Sequence, residues 1–208
     1  LIMRQLLVSY GAEGSKGRVV RRVQGRRLSD PIIDALLAAL RAADWGATQE
    51  RPSVSADAYV TLRRPPKVAP DLRTSASAKA HAAKLARFRE VWDLAARAIQ
   101  EVDPAYAERY TKIALSKAFV GSPHIDSYDQ GPQYALSLGD FSGGALCVEA
   151  GARDVVAICT HGRMAKMDGR FPHWVEAHKG ERYSVIWFMD DVDDHIPKTT
   201  AVFCEASR

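Results

Sequence analysis

The residues best suited to chemistry lie in the second half of this 208-residue chain. His124 and Asp126 are two positions apart in GSPHIDSYDQG (121–131), so an extended strand would place both side chains on one face. An imidazole and a carboxylate side by side can occupy two positions around a divalent metal ion. The sequence therefore predicts part of a metal site at this pair.

A third ligand has to come from a distant part of the chain, and the other histidines offer several candidates. His81 falls in a predicted helix and His195 in the acidic stretch DDVDDHIP, where surface residues are more common. His161 follows a predicted strand in ICTHG, and residues 171–184 (FPHWVEAHKGERYS) contain two more histidines. Two histidines and one carboxylate would form the facial triad that is typical of non-haem Fe(II) oxygenases.

An arginine just beyond a predicted turn at 179–180 forms the second half of the pattern. In the strand that follows, Arg182, Ser184 and Ile186 share one face, and the residues between them face the opposite way. A buried arginine is costly unless an anion meets it, and a guanidinium binds a carboxylate through two hydrogen bonds. We therefore expect an anionic cosubstrate whose far carboxylate is held by Arg182, with the Ser184 hydroxyl adding a hydrogen bond.

The HxD pair, a second histidine and an R-x-S about nine residues after it together resemble the Fe(II)/2-oxoglutarate-dependent dioxygenases. Within that superfamily, LGDFSGGALCVE (138–149) and DGRFPHWVEAHKGERYSVIWF (168–188) are most similar to the TET/J-binding-protein group, which oxidises methyl groups on DNA pyrimidines. The resemblance covers roughly residues 118–190. It implies Fe(II) and 2-oxoglutarate as cofactors, O2 as cosubstrate, and 5-methylcytosine or another methylated DNA base as the target.

The resemblance also assigns roles to individual residues. It implies that His124, Asp126 and His173 bind the iron. It also implies that Arg182 and Ser184 bind the C5 carboxylate of 2-oxoglutarate. The family spacing selects His173 over His178, because His173 precedes Arg182 by nine residues and His178 by only four. We expect His178 to lie on the solvent side of the turn. Tyr134 and His161 are further candidates for contact with the cosubstrate.

Helical patterns dominate the first 117 residues. The predicted elements are a helix at 29–45, a strand at 58–66, a loop at 67–78, a long helix at about 76–102 and a shorter helix from Asp103 to roughly Ala114. The apolar stripes of these helices need a partner, and one face of a sheet would bury them.

From residue 118 onwards, short apolar runs alternate with Gly, Pro and Asp turns, which is typical of a β-sandwich or barrel. We predict a single α+β domain over residues 1–208. In it, an N-terminal support of helices and one strand (1–117) buttresses a double-stranded β-helix core of the jelly-roll or cupin-like kind (118–208).

Charge is distributed unevenly along the chain. Residues 1–100 carry 18 Lys and Arg against 9 Asp and Glu, whereas the remaining residues carry 11 against 16. The basic stretch SKGRVVRRVQGRR (15–27) is suited to phosphate contacts and equally to a solvated surface. We expect DNA as a partner through this basic N-terminal half.

Composition limits the other classes of function. No run of about 18 apolar residues is present, so we expect no membrane association. The three cysteines are far apart, which argues against a zinc knuckle and fits an intracellular protein, nuclear if the chain is eukaryotic. We expect a monomer. Two alternatives to a DNA oxygenase remain: a hydroxylase of a protein (prolyl-hydroxylase-like) or of a small molecule, and an inactive nucleic-acid-binding module of the same fold.

Overall fold

Two facing β-sheets form the core of the protein, and helices cover the outer face of the larger sheet. The computed structural model describes residues 18–46, 49–51, 54–65, 76–190 and 196–203. This arrangement confirms the prediction of an α+β protein with a double-stranded β-helix core. His195 and most of the predicted loop at 67–78 lie outside the described residues. Within the described part of the chain, no helix is long and apolar enough to cross a membrane.

The smaller sheet has five strands. Their spatial order is β1 (Val19–Gln24), β9 (Asp154–Cys159), β8 (Leu146–Glu149), β11 (His173–Val175) and β5 (Gly121–His124). β1 pairs with β9 in parallel, and the other neighbours are antiparallel. In the pairing of β11 with β5, His173 lies directly opposite His124. The sheet therefore brings together two histidines that are 49 positions apart in the sequence.

The larger sheet has six strands, and a separate two-stranded sheet flanks it. The six are, in spatial order, β2 (Arg26–Arg27), β10 (Arg163–Met167), β6 (Gln133–Leu138), β13 (Tyr183–Phe188), β4 (Lys112–Lys117) and β3 (Ala58–Arg63); the pair is β7 (Phe141–Gly143) with β12 (His178–Gly180). Strands β1 to β4 precede residue 118, so both sheets cross the predicted boundary at 117/118. The reason is that strand pairing is non-local: β1, β2 and β4 each pair directly with a strand from the C-terminal half.

The described helices are α1 (Asp30–Ala42), α2 (Ala76–Arg87), α3 (Arg89–Val102) and α4 (Pro104–Ala107). The long helix predicted at 76–102 is broken at Phe88, whose φ of −109° and ψ of 23° depart from helical values. The prediction of a helix that continues to Ala114 was wrong, because this helix ends at Ala107 and Lys112 already begins β4. Strand β4 is buried on both faces, and a short apolar run of that kind has no period that distinguishes strand from helix.

Alternate residues of β13 face two different cores. Tyr183, Val185 and Trp187 pack against the helices, whereas Ser184 and Ile186 face the smaller sheet. This confirms the alternation predicted from the sequence, which follows from the two-residue period of a strand. The space between the sheets is therefore where the predicted chemistry has to be sought.

Candidate active site between the sheets

The side chains of His124, Asp126 and His173 form one cluster. Their ligand atoms all lie within 4.8 Å of one another. Asp126 follows β5 in a turn, and its two carboxylate oxygens are 3.3 Å from His173 Nε2 and 3.8 Å from His124 Nε2. Three ligand atoms this close can bind a single metal ion, and two histidines with one carboxylate are a ligand set suited to Fe(II).

Backbone hydrogen bonds orient both imidazoles. His124 Nδ1 lies 2.7 Å from the carbonyl oxygen of Ser122, and His173 Nδ1 lies 3.0 Å from that of Phe171. A carbonyl only accepts hydrogen bonds, so each Nδ1 is the donor and carries the proton. Both imidazoles therefore present Nε2 to the side of Asp126, which is the orientation that a metal ligand needs.

The local electrostatics favour the protonation states that metal ligands require. Burial would raise the pKa of Asp126, but its contacts with His173, His124 and Arg51 outweigh that effect and lower the pKa to about 2. For His124, burial and then the neighbouring His173 lower the pKa. At neutral pH the cluster therefore holds a carboxylate beside a neutral His124 imidazole, ready for a cation.

The cluster opens into a cavity of about 140 Å³ between the two sheets. The same cavity is lined by Arg182 and Ser184, the pair that the sequence predicts as a carboxylate site. Apolar side chains such as Leu146, Val175 and Ile186 form part of the lining between these polar groups. The cluster of His124, Asp126 and His173 and the arginine thus share one partly apolar chamber.

Arg182 is buried, and no residue that the structure describes supplies it with an anionic partner. It is only 3% exposed, and its Nη1 donates to Ser184 Oγ at 2.6 Å and its Nη2 to the Gly144 carbonyl at 3.4 Å. The Nε atom is buried without a hydrogen-bond partner, and Arg182 forms no ion pair with any residue that the structure describes. Burial lowers the pKa of Arg182 to about 10, so the guanidinium is charged at neutral pH. A cation in this position needs an anion from a ligand.

The structure places Tyr134, which the sequence predicts as a contact of the cosubstrate, away from the cavity. Tyr134 belongs to the core between the helices and the larger sheet, where its hydroxyl donates to Asp103 Oδ2 at 2.7 Å. Its ring packs edge-on against Tyr106, with 4.8 Å between the centroids. The neighbouring Ala135, not Tyr134, lines the cavity. Tyr134 therefore joins a strand to the helical layer.

We expect the substitution Tyr134→Phe to affect stability and not cosubstrate binding. It removes one hydrogen bond to Asp103, which typically lowers the free energy of unfolding by about 1 kcal/mol. Urea denaturation followed by circular dichroism measures this change. The KM for 2-oxoglutarate should stay at the wild-type value, and a several-fold rise in that KM would contradict the placement of Tyr134 outside the cavity.

The two other histidines of interest also lie outside the cavity wall. His161, which was predicted to contact the cosubstrate, is exposed; its Nε2 lies 2.9 Å from the Gly139 carbonyl oxygen and its ring stacks on Phe141. His178 is half-buried and not on the solvent side of the turn, and its buried Nδ1 has no hydrogen-bond partner among the described residues. Burial, and then the charge of Arg182, lowers the pKa of His178.

Several cavity residues escaped the sequence analysis. They are Arg51, Tyr59, Asp129, Gln133 and Thr160. Arg51 Nη2 lies 3.6 Å from Asp126 Oδ1. Asp129 is buried, and its Oδ2 has no hydrogen-bond partner among the described residues; burial and the nearby Asp126 raise its pKa to about 8. The HIDSYD spacing (124–129) is the one local signal that pointed to Asp129, since a tight turn after Asp126 brings it back to the same cavity.

No protein-family model matches the chain, and no curated protein sequence matches it. Several solved structures are similar in fold. A 2OG-Fe(II) oxygenase family oxidoreductase from Burkholderia pseudomallei is 18% identical, with 75% of this chain and 76% of that chain covered and a TM-score of 0.40. A Trichoplax adhaerens prolyl hydroxylase in complex with a hypoxia inducible factor peptide fragment is 13% identical, with 80% and 81% covered and a TM-score of 0.48.

NgTET1 in complex with 5mC DNA is 14% identical to the chain, with 78% of this chain and 69% of that chain covered and a TM-score of 0.47. Similarities at this level concern the arrangement of strands and helices. What this chain can bind and do therefore has to follow from its own residues.

Proposed function

We propose that this protein is an Fe(II)/2-oxoglutarate-dependent dioxygenase that oxidises the methyl group of 5-methylcytosine, or of another methylated base, in DNA. The observation that carries the reaction class is the shared cavity. One part of it holds a cluster of two histidines and one carboxylate, and another holds a buried, charged Arg182 that has no anionic partner among the residues the structure describes. A dicarboxylate that also chelates a metal fits both features at once.

In this proposal His124, Asp126 and His173 hold Fe(II), and Arg182 with Ser184 binds the C5 carboxylate of 2-oxoglutarate. When bound, the iron supplies the redox chemistry that activates O2 and couples decarboxylation of 2-oxoglutarate to oxidation of a C–H bond. Because their Nδ1 atoms face the carbonyl oxygens of Ser122 and Phe171, both imidazoles can present Nε2 to the metal.

The remaining residues of the chamber position the cosubstrate. Ser184 Oγ accepts a hydrogen bond from Arg182 Nη1, which restrains the plane of the guanidinium group. The hydroxyl proton of Ser184 remains available for a hydrogen bond to a carboxylate oxygen. The apolar side chains around the pair limit the access of water, which strengthens the attraction between Arg182 and a bound carboxylate.

Two features favour DNA as the substrate. Arg21, Arg22, Arg26 and Arg27 are exposed on β1 and β2, within seven consecutive residues. Arg22 and Arg27 form ion pairs with Glu176 and Asp30, but such exposed pairs contribute little and can be exchanged for phosphate contacts.

The second feature is the carboxyl group of Asp129 inside the cavity. Its Oδ2 has no hydrogen-bond partner among the described residues. Carboxyl oxygens accept hydrogen bonds from the exocyclic amino group of cytosine. A base that reaches this position has to leave the duplex stack, as the substrates of other base-modifying enzymes do.

The proposal is tested by supplying the protein with Fe(II), 2-oxoglutarate and one of three substrates. These are a duplex with 5-methylcytosine, the same duplex with cytosine, and a proline-containing peptide. We expect succinate and an oxidised nucleoside, measured by mass spectrometry, with the methylated duplex alone. Turnover with the peptide and not with DNA would refute the DNA substrate, and failure to bind 2-oxoglutarate with any metal would refute the reaction class.

A further inference from the structure

The turn that follows β5 divides its side chains between the cavity and the solvent. Asp126 and Asp129 both line the cavity, and the Asp129 amide donates to the Asp126 carbonyl at 3.2 Å. Tyr128, between them, is 88% exposed, and Ile125 is 53% exposed. Among the described residues, Tyr128 is the most exposed large hydrophobic side chain. An aromatic ring and an aliphatic side chain thus stand in solvent on the segment that carries a metal ligand.

This turn lies at the open side of the cavity. The Asp126 side chain is 22% exposed, and Arg51 beside it is also accessible, whereas Arg182 is almost completely buried. The cluster of His124, Asp126 and His173 is therefore reached from solvent next to the turn, and Arg182, the proposed carboxylate ligand, lies deeper. Ile125 and Tyr128 are therefore placed to contact a large substrate that presents one group to the metal.

We propose that Tyr128, with Ile125 beside it, is a contact surface for DNA at the mouth of the cavity, and that the Tyr128 ring stacks on a base next to the one that enters. This inference rests on the proposed function. Extracting a base removes its stacking with its neighbours, and an exposed aromatic ring replaces part of that loss because every base has a stacking face. Arg51, accessible at the same opening, adds a positive charge for the backbone.

Tyr128 is a positioning residue in this view, since it does not touch the reacting atoms. The test compares Tyr128→Ala with Tyr128→Phe on a duplex that carries 5-methylcytosine beside 2-aminopurine. We expect Tyr128→Ala to raise the KM for the duplex about 5- to 100-fold and to abolish quenching of the 2-aminopurine fluorescence. Tyr128→Phe keeps the ring and should retain both properties.

Phe203→Ala is the matched control, because Phe203 is also exposed but lies beside Lys166 and away from the turn. The melting temperature and the KM for 2-oxoglutarate should remain at wild-type values in all three variants. If the wild-type protein oxidises the duplex and Tyr128→Ala behaves like Phe203→Ala, this inference is overturned and the proposed function stands. If the wild-type protein neither binds nor oxidises any DNA, both are overturned.

Discussion

Replacing His173 with alanine is expected to remove metal-dependent turnover of 2-oxoglutarate. His173 is the most buried of the three side chains in the cluster, and its Nε2 lies 3.3 Å from Asp126 Oδ2. Loss of the residues that merely orient metal ligands typically lowers affinity or activity by about 10- to 100-fold, so loss of a ligand itself should cost at least about 100-fold. Succinate production measures the activity, and titration with Co(II), followed by its visible absorption, measures the site directly.

The matched control for this experiment is His161→Ala. His161 is a histidine of the same sheet region, but it contacts Gly139 and Phe141 and does not line the cavity. We expect this variant to bind Co(II) and to turn over 2-oxoglutarate as the wild-type protein does. Equal loss in both variants would show that the effect reflects general destabilisation, and undiminished Co(II) binding by His173→Ala would remove His173 from the ligand set.

Replacing Arg182 with methionine is expected to stabilise the ligand-free protein and to abolish its response to 2-oxoglutarate. The wild-type protein buries a charged guanidinium without an anionic partner among the described residues. Exchanging buried charges for apolar side chains of similar volume is often neutral or stabilising, by about 1–4 kcal/mol. The same substitution removes the fork that binds the carboxylate, so the KM for 2-oxoglutarate should rise at least about 30-fold.

Urea denaturation at pH 7 and pH 8, with and without 2-oxoglutarate, measures both effects. Burial lowers the pKa of Arg182 only to about 10, so the charge and its cost are fully present at both pH values. Because the pKa of Arg182 is lower in the folded protein than in the unfolded chain, the charged guanidinium lowers the free energy of unfolding. This cost is constant below about pH 10 and decreases only at higher pH. The gain in stability should therefore be the same at pH 7 and pH 8.

Arg182→Lys separates charge from geometry. Lysine keeps the positive charge but cannot form two parallel hydrogen bonds to a carboxylate, so we expect an intermediate KM and no gain in stability. A large loss of stability in Arg182→Met would indicate that an anion already pairs with Arg182 in the ligand-free protein. A wild-type KM in the same variant would contradict its role as the carboxylate ligand.

The sequence predicted the residues of the site better than it predicted their surroundings. The HxD and R-x-S spacings are informative because side chains two apart in an extended chain share a face, and the structure brings both pairs to one cavity. Arg51 and Tyr59 carry no comparable local signal. Tyr59 reaches the cavity on β3, and the segment with Arg51 lies beside that strand; contacts of that kind are set by chain segments far apart in the sequence.

The two-residue alternation of a strand does not by itself assign Tyr134 to one face of the larger sheet. All six residues of β6 are buried, because one face meets the helices and the other meets the smaller sheet. Alternation then separates Tyr134 from Ala135 but does not reveal which of the two faces the cavity. The prediction of where the last helix ends was limited in the same way, since β4 is buried on both faces and its apolar run has no distinctive period.

By itself, the sequence determined which residue types form the candidate site, their spacing within each strand and the order of helical and strand-rich segments, because these depend on local geometry. The tertiary structure alone decided that His173 faces His124 and that Arg182 is buried with no anionic partner in the described part of the chain. It also decided that Tyr128 is exposed to solvent on the turn that carries Asp126. These facts depend on which distant strands pair and on which faces they bury, and no short stretch of residues contains that information.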